Sequence, residues 1–186
     1  MNYDLSTEQK LVQDSAREFF TKESDSAFVR EMRKDDKGYT EKLWKKMADL
    51  GWIGLLIPEQ YGGYEMSFME MAVLLSEMGY ACFSGPFFST AVLGVTTLLE
   101  AGDEAQKAAI LPQVAKGDRI LTLAWTEQSG TYSARGISAR ADLENGHYIL
   151  SGTKLFVPDA HIADTILCAF RTNQSPEDSE EGISLF

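Results

Sequence analysis

The chain has 186 residues, 44% of them hydrophobic and 24% charged, an ordinary composition for a globular protein that suggests neither disorder nor a fibrous class. A formal net charge of −11 speaks against nucleic-acid binding, because phosphate recognition draws most of its affinity from Lys and Arg releasing counterions. No apolar run approaches the roughly 20 residues that a bilayer-crossing helix needs.

Met1 to Ser6 carry neither a basic stretch followed by an apolar one nor the Arg-rich, acid-poor makeup of a transit peptide, so a cytoplasmic location is the expectation. Ser6 and Gln9 form a capping box that starts a helix with Leu11, Val12, Ala16, Phe19 and Phe20 along one face. Thr40 caps a second helix, whose stripe of Leu43, Trp44, Met47 and Leu50 ends at Gly51. Ser67 with Glu70 opens a third, over Met71, Leu74, Leu75 and Met78, with Gly79 as its stop. Residues 87–100 read as one nearly all-apolar helix, buried on most sides. Asp103 and Gln106 open a fifth, and Pro112 should not lie deep inside it, since proline loses a hydrogen bond and clashes with the preceding turn. The two cysteines, Cys82 and Cys168, sit among apolar or small residues and read as buried reduced thiols.

From Ile120 the pattern changes to short runs rich in Ile, Thr, Leu and aromatic residues, bounded by Gly, Asn and Ser, which is the pattern of strands. Asn145-Gly146 marks a hairpin between residues 137–143 and 147–150, because a type I′ turn needs positive φ at both central positions. Residues 166–170 and 183–186 are further strands, separated by a solvated acidic loop with Glu177, Asp178, Glu180 and Glu181. Helices followed by strands predict an α+β fold: an α-helical bundle over residues 1–117, then an antiparallel β domain over 118–186, expected to be an incomplete β-barrel cut short at Phe186.

Competing chemistry is absent from the sequence. There is no Gly-x-Gly-x-x-Gly following a strand, no Gly-Lys-Ser or Gly-Lys-Thr phosphate loop and no His-Glu-x-x-His metal site. His147, beside a turn, and His161, in a loop, read as surface residues rather than bases or metal ligands.

Four stretches carry a resemblance. They are Gly51-Trp52-Ile53-Gly54-Leu55-Leu56-Ile57-Pro58-Glu59-Gln60-Tyr61-Gly62-Gly63; residues 101–107 with Leu111-Pro112 and Gly117-Asp118; Trp125-Thr126-Glu127; and Gly152-Thr153-Lys154. In this order and at these separations the chain resembles the acyl-CoA dehydrogenases. In the first stretch Pro58 and Gly62-Gly63 also simply make a turn between helices.

The resemblance implies FAD as cofactor and α,β-dehydrogenation of an acyl-CoA substrate, with electron-transferring flavoprotein as acceptor and assembly as a homo- or hetero-oligomer, dimer or tetramer. It places Leu123, Trp125 and Thr126 along the flavin ring, with the Thr126 hydroxyl and N–H as donors to its pyrimidine edge. Phe156 matches a position where the family usually packs a tryptophan against the flavin, and keeps the aromatic face without the indole donor. The family's catalytic base lies beyond the position of Phe186, so no catalytic residue and no metal ligand is assigned here, and the 186 residues alone are expected to be inactive.

Two departures accompany the match. Thr131 and Tyr132 occupy the Gly-Ser places of the family's Thr-Glu-Pro-x-x-Gly-Ser-Asp, leaving the Tyr132 hydroxyl to meet a flavin phosphate or the CoA moiety. Pro158 stands where a Thr or Ser commonly donates near flavin N5, and a lost donor of that kind costs about 1–3 kcal/mol if its partner stays buried. These changes keep two alternatives open: a non-catalytic partner subunit of a heteromeric dehydrogenase, or a flavin oxidase or monooxygenase of the same fold. The aromatic-rich residues 80–89 match part of the family's acyl-binding wall, although core packing explains any one of them as well.

Overall fold

A computed structural model describes residues 4–172 and 180–186; Glu177 and Asp178 of the expected acidic loop lie outside the described residues. The helices are α1 (Thr7–Glu23), α2 (Ser26–Met32), α3 (Glu41–Asp49), α4 (Phe68–Tyr80), a π-helical segment (Phe88–Gly94) continuing into α5 (Val95–Ala101), and α6 (Glu104–Ala115). The strands are β1 (Leu121–Ala124), β2 (Arg140–Glu144), β3 (His147–Ser151), β4 (Thr165–Arg171) and β5 (Ile183–Leu185). The α+β class is as expected.

Local chemistry sets most of the boundaries. Ser6 with Gln9, Ser67 with Glu70, and Asp103 with Gln106 each form the reciprocal capping box, and Thr40 caps α3 through the Leu43 N–H. After α3 the chain turns at Gly51 with φ 78°, a conformation that favours glycine. Several expectations need correction. α2 was missed: the Asp25 carboxylate caps it through the N–H groups of Ala27 and Phe28, but seven residues are too few to show a stripe. Leu11 and Leu50 point to solvent, α4 runs one residue past Gly79, and the apolar helix begins as a π-helix. Pro112 lies inside α6, in its last turn, where it supplies no N–H to the Ala108 carbonyl but few residues follow for its ring to displace, and the Gln113 side-chain amide donates to Ala109 O at 2.7 Å. Cys82 is an exposed thiol, and Cys168 is half-buried.

One principal core joins the helices to the first strand. Phe20, Met47, Ile53, Met71, Leu74, Phe87 and Leu111 are buried in it together with Ile120 and Leu121, each large apolar side chain contributing about 1.5–3 kcal/mol. α1 packs on α4, where Arg17 grips the buried Glu77 through two bonds of 2.8 and 2.7 Å. Trp44 donates from Nε1 to Gly117 O at 3.1 Å, fastening α3 to the exit of α6. The π-helical segment lies against β1: the Thr90 hydroxyl bonds both Leu121 O, at 3.1 Å, and Leu121 N, at 3.2 Å, and a methyl added at Gly94 would collide with the Leu121 side chain.

The sheet order is β1-β4-β2-β3, with β5 also on β4. β2 and β3 form the expected hairpin, with Asn145 and Gly146 at φ 49° and 82°, and β5 runs antiparallel to β4. The sheet is nevertheless mixed rather than antiparallel. β1 pairs parallel with β4 from Leu121↔Thr165 to Ala124↔Cys168, and β2 meets β4 in parallel at Arg140↔Arg171. The hairpin and loops between β1 and β4 supply the long crossover that parallel neighbours require.

Candidate functional site at the exit of β1

Three hydrogen bonds hold the loop after Lys154 against β1 and its neighbours. The Leu155 N–H donates to Thr126 O at 2.8 Å, the Thr122 hydroxyl to Pro158 O at 2.6 Å, and the Ser89 hydroxyl to Asp159 Oδ2 at 2.6 Å. Between these fastenings Phe156 has φ 52° and is 90% exposed. Asp159 also has φ 52°. Left-handed backbone at a non-glycine residue costs on the order of 1–2 kcal/mol, and at Phe156 it buries no side chain in return. Strain that presents an aromatic ring to solvent is a mark of function rather than of core packing.

The seven residues singled out in the sequence lie in one neighbourhood. Leu123 sits within β1 opposite Leu167, half-buried, and Trp125 and Thr126 follow directly where the strand ends. Trp125 donates from Nε1 to Tyr132 O at 3.1 Å, drawing Thr131 and Tyr132 toward that end. Thr131 is exposed and its hydroxyl accepts from Ser133 N at 3.1 Å, while the Tyr132 side chain is 82% exposed. Thr126 is half-buried, with its carbonyl used by Leu155 and its hydroxyl left without a partner among the described residues. Phe156 follows Leu155, and exposed Pro158 is tied back to Thr122 in the same strand.

Beneath this surface lies an ion pair whose role sequence reasoning missed, although it had marked both stretches as diagnostic. Glu127 and Lys154 are 5% and 8% exposed, and Lys154 Nζ reaches Glu127 Oε1 at 2.6 Å. Glu127 also accepts from Ser138 Oγ at 2.6 Å, Ser138 N at 2.9 Å and Ala139 N at 3.2 Å. Burial alone would raise the Glu127 carboxyl, but the donors from Lys154, Ser138 and Ala139 outweigh it and hold the group below the usual carboxylate range. The Lys154 ammonium lies 5.3 Å from the centroid of the Phe170 ring, a cation–π contact.

Buried Arg171 supports the next layer, donating to Ile137 O at 3.1 Å and Glu181 O at 2.9 Å. For Lys154 the sequence signal was its place in the Gly152-Thr153-Lys154 stretch, and for Arg171 its position at the end of an apolar strand run, but neither stretch showed which groups the cation meets. Beside Glu127 opens a polar cavity of about 630 Å³ walled by Gln128, Ser129, Arg135, Ser138, Arg140 and Thr153. Its two guanidinium groups face carboxylates, Arg135 to Glu180 at 3.2 Å and Arg140 to Asp142 at 3.5 Å. His147 and His161 are exposed, and among the described residues no His, Cys, Asp or Glu cluster is arranged to hold a metal ion. The arrangement offers a half-buried hydroxyl, an outward aromatic ring and a rigid seat, which suit the holding and orienting of a planar cofactor.

Comparison with known proteins agrees with this architecture. Residues 6–118 match the acyl-CoA dehydrogenase N-terminal domain and residues 122–186 the acyl-CoA dehydrogenase middle domain. Cyclohex-1-ene-1-carbonyl-CoA dehydrogenase of Geobacter metallireducens is 31% identical over 98% of this chain and 47% of its own. A chain in a structure of the electron transferring flavoprotein of Acidaminococcus fermentans superposes with a TM-score of 0.83 at 28% identity, over 100% of this chain and 48% of that one. The FAD complex of PigA gives 0.80 at 27% identity, over 100% and 49%. The chain thus spans about half the length of the curated relatives it matches.

Proposed function

Because this chain belongs to the acyl-CoA dehydrogenase family, we propose that it forms the flavin-facing part of an FAD-dependent enzyme that dehydrogenates acyl-CoA thioesters between the α and β carbons. The observation that supports the reading is the Leu155-to-Thr126 backbone bond, which ties the loop bearing the exposed Phe156 ring to the strand end that carries the unpartnered Thr126 hydroxyl. On this reading FAD, when bound, supplies the acceptor for the hydride leaving the β carbon.

The chain's own residues hold and orient the cofactor. Leu123 and Trp125 border the ring, Thr126 donates to its polar edge, Phe156 covers a face, and Thr131, Tyr132 and Pro158 line the approach. The Glu127–Lys154 pair and the Thr122 bond keep these groups from shifting when the ring enters, which removes an ordering cost from binding. Electron-transferring flavoprotein is the proposed acceptor, and the working form is a homo- or hetero-oligomer.

The test is a preparation of the full-length protein, of which these residues form the flavin-facing part, supplied with FAD. Yellow protein whose flavin absorbance bleaches on adding an acyl-CoA supports the reading, and protein that takes up no flavin refutes it. A second reading, a flavin-free partner subunit, is favoured by Pro158, which lacks an N–H, and by Thr131-Tyr132 in the Gly-Ser places. Co-purification with a flavinated relative supports that alternative, whereas a homomeric, fully flavinated assembly removes it. Oxygen consumption without electron-transferring flavoprotein would instead mark an oxidase or monooxygenase.

A further inference from the structure

We infer that Ser89 and Asp159 are a positioning pair through which the π-helical segment sets the Phe156 ring, an inference that rests on the flavin reading above. Ser89 and Thr90 are consecutive residues and both fully buried, each bonding a different partner: Thr90 takes Leu121 in β1, and Ser89 takes Asp159 in the loop. The Ser89 hydroxyl lies 2.6 Å from Asp159 Oδ2 and 3.1 Å from Pro86 O. One proton serves it, and the carboxylate is the nearer and stronger acceptor.

Asp159 is the last of the two left-handed residues in the loop, three positions after Phe156. Left-handed backbone relaxes unless its surroundings over-determine it. The Leu155 and Pro158 bonds fix the loop's start and middle to the β1 segment, Asp159 ties the residues next to them to the π-helical segment by its side chain, and Asp164 returns the loop's end to Ile120 N at 2.8 Å. A π-helix, frequent at functional sites, brings both hydroxyls inward over this stretch. Ser89 therefore acts on the cofactor through Phe156 without touching it.

The test uses the full chain and two readouts, amide hydrogen exchange at Leu155 in flavin-free protein and the flavin dissociation constant. Ser89→Ala and Asp159→Ala should each speed exchange at Leu155 and weaken flavin binding about tenfold, the loss expected for one charge-assisted bond. Asp159→Asn should restore both, because the amide oxygen still accepts and Asn tolerates left-handed backbone. In a Phe156→Ala background, Ser89→Ala should weaken flavin binding no further. Unchanged exchange at Leu155, failure of Asp159→Asn to rescue, or an equal flavin loss in the Phe156→Ala background would each overturn the inference. Wild-type protein that takes up no flavin would refute the proposed function instead, and the exchange arm would still decide the positioning of the loop.

Discussion

Glu127 and Lys154, 27 residues apart in sequence, form an ion pair closed to solvent on both sides that joins the exit of β1 to the loop bearing Phe156. Its hydrogen bonds are nearly all internal, so removing one partner strands the other charge. Lys154→Met or Glu127→Ala should cost about 3–5 kcal/mol in denaturant unfolding. The double replacement should cost less than the sum of the singles, and additive losses would show that the pair is not coupled.

The same pair makes stability depend on acid. The folded Glu127 carboxyl lies below its ordinary value, so its contribution is complete above the unfolded value of about 4.3 and drains away as pH falls through the lower folded value. Unfolding free energy measured from pH 7 to 3 should fall in the wild type below about pH 4.3, and the gap to Glu127→Gln should narrow there. A gap that widened toward acid would contradict the sign.

Phe156 separates strain from packing. With its ring in solvent and φ at 52°, Phe156→Gly should leave thermal stability unchanged or raise it by up to about 1 kcal/mol while weakening flavin binding. Thermal melts and flavin titration read the two effects, and a large stability loss would place the ring in a packing role.

Gly94 tests the contact between the π-helical segment and β1. A methyl there meets the Leu121 side chain in a close-packed core, so Gly94→Ala should destabilise by about 1–3 kcal/mol despite the better helix propensity of alanine. Chemical denaturation checks it, and a stabilised variant would show that the helix is free to move off the strand.

Pro158→Thr supplies the hydroxyl and N–H that proline lacks. The expected result is tighter flavin binding, by about fivefold for one added hydrogen bond, with a stability loss of about 0.4–1 kcal/mol from the freer unfolded chain. Unchanged flavin affinity would mean that position 158 does not face the cofactor.

Much of the fold could be read locally. Ser6, Thr40, Ser67 and Asp103 start helices because a short polar side chain meets the N–H groups that any first turn leaves open, and Asn145-Gly146 folds because both residues accept positive φ. Where local signals misled, a longer-range fact was responsible. Leu11 matches the apolar period but sits on the edge of the stripe, in solvent, and the parallel pairing of β1 with β4 joins residues more than 40 positions apart.

By itself, then, the sequence determined most of the elements, their order and the family, because caps, turns and motif spacing depend on neighbours within a few residues, while the short α2 left no apolar stripe to read. Only the tertiary structure decided that Glu127 and Lys154 are a buried pair, that Phe156 is held outward in a left-handed turn, and that Ser89 reaches Asp159. Each depends on which groups, distant in sequence, come within hydrogen-bond reach. The free energy of a charge or hydroxyl depends on the water it loses and the partner it gains, and neither is written in its own stretch of chain.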